Sequence, residues 1–146
     1  MSVGTITGVF TRIQTEVGRP KAAKLELTCT AGAAGDANAH LYPATVINTL
    51  AALAALWDIR GMMIRSLKAI PDGDTPPTDG SSLTIKDEYG VDLLDGAGAE
   101  FIPSTGTAWT MNTIFPALIT GDITLAITGN SVNSAAVTLV LELVGT

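Results

Sequence analysis

Along Asp122–Thr128 apolar and polar residues alternate. Ile123, Leu125 and Ile127 fall on one face and Thr124, Ala126 and Thr128 on the other, the period of two expected of a strand half buried against a core. Val137, Leu139, Leu141 and Leu143 repeat the pattern opposite Thr138, Val140 and Glu142. The connection from Gly129 to Ser134 is rich in turn formers, so the two runs are expected to pair as an antiparallel hairpin. Leu25, Leu27 and Cys29, set against Glu26, Thr28 and Thr30, mark a strand over Lys24–Thr30 and place Cys29 in the core. Ile6–Ile13 and Leu83–Lys86 read as further short strands, the latter closed by the acidic turn Asp87-Glu88-Tyr89-Gly90.

From Pro43 to Trp57 the spacing changes. Val46, Leu50, Leu53 and Trp57 recur at helical intervals, alanine is abundant and Pro43 suits a first turn, which predicts one short helix over about residues 44–57 with Trp57 on its apolar face. Trp57–Ile70 then reads as a long strand in which Gly61 marks a bulge. Pro71–Gly80, with consecutive prolines and two glycines, is a loop, as are Asp95–Ala99 and Pro103–Gly106. About seven or eight short strands with turn signals every ~8–12 residues predict a mainly β protein. The expected architecture is a single antiparallel β-sandwich or jelly-roll domain over residues 1–146.

Composition sharpens this. A chain of 146 residues can bury roughly 70% of its unfolded surface, so neither disulfides nor metals are needed to fold it, and the single Cys29 rules out an intramolecular disulfide. Charged residues make up 15% of the chain, against ~25% in ordinary soluble domains, and Thr, Ser, Asn, Ala and Gly take their places. Such a surface suits burial against other subunits, so a homo-oligomer is expected. Charge is also split along the chain. Residues 1–70 hold seven basic against four acidic groups, whereas residues 71–146 hold only Lys86 against ten acids. The net charge of −6 and the scattered basic groups argue against nucleic acid. The longest apolar run, Leu50 to Trp57, is far short of the ~20 residues that span a bilayer, and Met1–Phe10 has no leader-like pattern.

Candidate chemistry is sparse. His40 is the only histidine and Cys29 alternates with Leu25 and Leu27, so one reads as a surface or interface side chain and the other as a small buried hydrophobe. Asp72, Asp74 and Asp79 resemble the opening of a calcium loop, but Pro76 and Pro77 stand where an EF-hand needs a ligand and its glycine. Asp87, Glu88, Asp92 and Asp95 offer a second set of carboxylates. No phosphate-binding glycine loop or nucleophile elbow is present. Trp109 lies in a Thr-rich segment and reads equally as a core lid or a contact residue. Neither an enzyme nor a cofactor or metal is expected. One binding alternative stands: a β-sandwich that takes carbohydrate on Trp109 with help from a calcium loop.

Several stretches stand in an order that resembles a known family. They are Ile70-Pro71-Asp72-Gly73, then Pro77-Thr78-Asp79 before Leu83-Thr84-Ile85, then Asp87-Glu88-Tyr89-Gly90-Val91-Asp92-Leu93-Leu94-Asp95-Gly96. Pro116, Ile119–Leu125 and the closing Val137–Leu143 run complete the series. Over roughly residues 57–144 the chain resembles the capsid decoration, or cement, proteins of tailed bacteriophages. The resemblance implies a non-catalytic virion protein made in the host cytoplasm. It would sit on the capsid exterior at junctions between major capsid protein subunits, with a trimer as the favoured oligomer. Under that reading the basic residues Arg12, Arg19, Lys21, Lys24, Arg60 and Arg65 are candidates for docking on an acidic shell, and Trp109 for a subunit contact.

Overall fold

The computed structural model describes residues 4–12, 22–50, 59–111 and 117–145. Its strands are β1 (Thr5–Arg12), β2 (Ala22–Thr30), β3 (Thr45–Val46), β4 (Met62–Pro71), β5 (Ser82–Lys86), β6 (Ala108–Met111), β7 (Thr124–Thr128) and β8 (Ala136–Gly145). Every pairing between them is antiparallel. They form a five-stranded sheet in the order β1-β2-β8-β4-β6 and a three-stranded sheet in the order β3-β7-β5. From β2 onward every successive strand switches sheet, the long 87–107 connection from β5 to β6 included. This is the winding of a jelly roll, with β1 added at the β2 edge. The 87–107 connection also runs along the free side of β5. Leu93 and Leu83 donate to the Ile85 and Gly98 carbonyls at 2.7 and 3.0 Å, so an irregular segment covers that edge.

The core is the set of inward faces that the alternation marks. Leu25, Leu27, Cys29, Leu139, Leu141 and Leu143 line the larger sheet, Leu83, Ile85, Leu125 and Ile127 the smaller, and all are buried. Segments outside the strands complete it with Ile47, Ile59, Leu93, Leu94, Ile102 and Ile119.

Three sequence expectations change. The runs over 124–128 and 137–143 do not form a hairpin: β7 pairs with β5 and β3, and β8 with β2 and β4. Their connection crosses from one sheet to the other, starting at Gly129 (φ +86°). Of the helix expected over 44–57, residues 45–50 are instead the short strand β3 and a single 3₁₀ turn, Ile47–Thr49. The Ile47 N–H is claimed by the Ile123 carbonyl at 2.9 Å and Thr45 is in register with Leu125, so sheet pairing displaces the helix there. Residues 51–58, Trp57 among them, lie outside the described residues. Gly61 is not a bulge but the positive-φ residue (+89°) of the turn that leads into β4; the register slips further on, between Ile64 and Ser66.

The crossing from β7 to β8 is pinned by one side chain. Buried Asn130 accepts from the Thr78 and Val132 N–H groups at 3.0 and 3.1 Å and donates to the His40 and Val132 carbonyls at 2.8 and 2.9 Å. It thereby ties three loops together at one end of the sandwich. Asn130→Ala should lower stability by about 2–4 kcal/mol, because buried donors and acceptors lose partners that an apolar side chain cannot replace. Chemical denaturation checks this, and a loss below about 1 kcal/mol would remove Asn130 from that role.

Candidate interface and the fate of the titratable groups

The outward face of the five-stranded sheet is unusual in having few charges. Reading across the register, one row runs Val9, Glu26, Val140, Lys68, Trp109 and the next Thr11, Lys24, Glu142, Ser66, Met111. A third holds Thr7, Thr28, Thr138 and Ile70. The four charges in these rows are matched: Lys24 meets Glu26 at 2.7 Å and Lys68 meets Glu142 at 3.8 Å. Exposed pairs of this kind contribute under about 1 kcal/mol each. Between them Val9, Ile70 and Trp109 stand 61%, 41% and 56% exposed. Trp109 is therefore a surface residue on the edge strand β6, level with Lys68.

The remaining expected site residues are only partly brought together. Arg12 closes β1 in register with Ala23, which pairs with Leu143, which pairs with Ile64, one residue before exposed Arg65. Exposed Arg60 lies in the turn that opens β4 at this same end. Arg19 and Lys21 lie outside the described residues. Asp36, Asp72, Asp74 and Asp79 occupy loops at the opposite end of the larger sheet. Arg60 and Arg65 thus stand at one end of this sheet and these four aspartates at the other. Glu88, which accepts from Thr120 Oγ1 at 2.6 Å, and Asp122 lie near Ile119, whose backbone bonds Gly61 and Met62 at the arginine end.

Four of the seven carboxylates that suggested a cation loop hold backbone N–H groups. Asp72 accepts from the Asp74 and Thr75 N–H groups, and Asp87 from those of Tyr89 and Val91. Asp92 accepts from Ile85, Leu94 and Gly96, and Asp79 from Ser104. Among the described residues no three His, Cys, Asp or Glu side chains converge as metal ligands. Sequence reasoning missed this role, although Asp at the head of a Gly-containing turn is its usual signal.

Cys29 and His40 fit their bland readings. Cys29 is fully buried, and burial pushes its thiol up to about 12 from 9.0. Tyr42 is also raised, first by burial and then by the charge of Cys29, and its hydroxyl donates to the Ala135 carbonyl at 3.0 Å. His40 is exposed and takes part through its backbone, with φ at +57° and its carbonyl held by Asn130. A cavity of about 320 Å³ is lined, among the described residues, by Gly4, Asn38, Leu41, Tyr42 and Pro43, none of them charged.

No family model matches the chain, and no curated protein matches it. A solved structure similar to it is a chain of the cyanophage Pam1 capsid asymmetric unit. That match has 13% identity, covers 92% of this chain and 91% of that one, and has a TM-score of 0.41. What the fold defines is a class: a two-sheet antiparallel β-sandwich with jelly-roll winding.

Two predictions follow from these side chains. Asp92→Ala, which leaves three N–H groups without their acceptor, should cost about 2–3 kcal/mol, while millimolar calcium leaves the wild-type melting temperature unchanged; a calcium-dependent rise would restore a cation role to these loops. The raised thiol pKa means that the folded state resists ionisation. Its contribution to stability is therefore complete below pH 9.0 and is lost as pH rises toward 12, by up to about 1.4 kcal/mol per pH unit. Denaturation midpoints between pH 7 and 11 should fall less steeply in Cys29→Ala than in wild type, and equal slopes would exclude the thiol as the cause.

Proposed function

We propose that this chain is a structural virion protein that decorates the outer surface of a tailed-phage capsid, binding at junctions between major capsid protein subunits. The observation that supports the reading best is the outward face of the larger sheet. It combines exposed Val9, Ile70 and Trp109 with threonines and with charges already paired within the face, a surface suited to being covered by protein. The order of loop and strand motifs over residues 57–144 that resembles cement proteins points the same way. So does the winding, since jelly rolls are a common architecture of viral capsid domains, although a fold by itself does not fix a function. The role is mechanical, with no catalytic step. The basic end of the sheet, with Arg12, Arg60 and Arg65, is the docking surface toward an acidic shell; Arg19 and Lys21, two further candidates, lie outside the described residues.

Jelly rolls also serve as lectins, and the exposure of Trp109 favours a glycan-binding reading as the second choice. That reading is the weaker, because Asp72, Asp79, Asp87 and Asp92, four of the carboxylates it would assign to calcium, hold backbone N–H groups.

Co-sedimentation with shells of the cognate capsid tests the docking. Arg60→Glu combined with Arg65→Glu should cut occupancy at least tenfold with the circular dichroism spectrum unchanged, and wild-type binding should weaken as salt rises. Unchanged occupancy would discard the basic end as the docking surface.

A further inference from the structure

We infer that the outward face of the five-stranded sheet is a self-complementary surface that pairs two copies of this chain about a two-fold axis running along β8. The argument is the register itself. β8 is the middle strand, with β2 and β4 on either side and β1 and β6 beyond them. Laying a second copy face to face about an axis parallel to β8 sets β4 of that copy over β2 and β6 over β1.

In the row Val9, Glu26, Val140, Lys68, Trp109, each Glu26 then faces the Lys68 of the second copy, each Val9 faces Trp109, and Val140 faces its own mate. In the next row the long Lys24 faces the short Ser66. Ile70 faces Thr28 in the row beyond, and Thr138 meets its own mate. The like-charge meeting of this arrangement, Glu142 with its mate, is flanked by Lys68 of its own chain at 3.8 Å and by Lys24 of the second copy. A cross-linked charge pattern that matches itself under a two-fold operation is what an isologous interface requires.

The size is also right. Five strands about 4.8 Å apart and roughly eight residues long at ~3.3 Å each give a footprint of about 600 Å² before side-chain relief is counted. A stable interface of standard size buries about 800 Å² per partner. Two sheets of this kind pack face to face about 10 Å apart with aligned strands. This inference goes beyond the shell role and needs no capsid. It also differs from the trimer that the cement-protein resemblance implies.

Sedimentation velocity on the purified chain is the test. Wild type should run as a dimer at micromolar concentration. Val140→Glu, which sets two like charges on the axis, should weaken the dimer at least 100-fold with an unchanged circular dichroism spectrum, and Thr84→Glu, on the outward face of the other sheet, should leave it intact. If Val140→Glu fails to fold, Thr138→Arg, which also meets its own mate, replaces it. Glu26→Gln and Lys68→Gln should each weaken the dimer several-fold and the double variant by no more than the stronger single one, a coupling that two side chains on non-adjacent strands of one copy would not show. A monomer up to about 100 μM, where an interface of this size should hold, overturns the proposal. So does a trimer, or a dimer indifferent to both axis substitutions; loss of shell docking by the Arg60 and Arg65 variants bears on the functional reading alone.

Discussion

Two layers of unequal width have to share one core. A five-stranded sheet presents a broader apolar face than a three-stranded one can cover, and the difference is made up by connections instead of strands. Ile47, Ile59, Leu93, Leu94, Ile102 and Ile119 are all buried and none belongs to a strand. Irregular backbone placed that close to a core must find hydrogen-bond partners outside any ladder. Asn48 supplies two, accepting from Ile123 at 2.8 Å and donating to Gly121 at 3.2 Å. Asn130, Asp72, Asp79, Asp87 and Asp92 supply others. Four of the ten acids in the second half of the chain are therefore tied to how its loops are held.

That arrangement explains the surface as well as the core. With Asp72, Asp79, Asp87 and Asp92 committed to turns, the outward face of the larger sheet is left to threonine, a few aliphatic residues, Trp109 and two ion pairs. A low overall charge looks at first like a uniform property of the chain. In the fold it is uneven: Asp36, Asp72, Asp74 and Asp79 in loops at one end of the larger sheet, Arg60 and Arg65 toward the other with Glu88 and Asp122 nearby, and a nearly neutral sheet face between them.

The strand faces were legible because a period of two depends only on which side of a strand is buried. Leu25, Leu27 and Cys29, and Leu139, Leu141 and Leu143, are buried in the alternation their sequence displays. Strand partners were not legible. A strand that folds back on its neighbour and one that crosses to the opposite layer bury alternate residues alike, so Thr124–Thr128 and Ala136–Gly145 looked like a hairpin although they belong to different sheets. The helical spacing of Val46 and Leu50 misled for a related reason: the residue that reaches the core is Ile47, off that stripe, and its backbone is committed to Ile123. Trp109 had no clear signal, since β6 is four residues long and exposed along an edge. The role of Asn130 was invisible for want of local partners; two of the groups it holds, on His40 and Thr78, are distant in sequence.

The neutral face and the basic end are linked by geometry. A two-fold axis parallel to the strands exchanges left and right across the sheet but leaves top and bottom unchanged. Both copies of Arg60 and Arg65 would then lie at one end of a pair, and both copies of the Asp36, Asp72, Asp74 and Asp79 loops at the other. Under the proposed docking, attachment through that end would be bivalent, the second contact forming at the high effective concentration set by a rigid dimer, so that weak, salt-sensitive arginine contacts would add up to firm attachment. An axis perpendicular to the strands would instead set the basic end of one copy over the acidic end of the other and remove the docking surface. The orientation favoured by the charges on the sheet face is thus also the one that keeps the arginines together and facing one way.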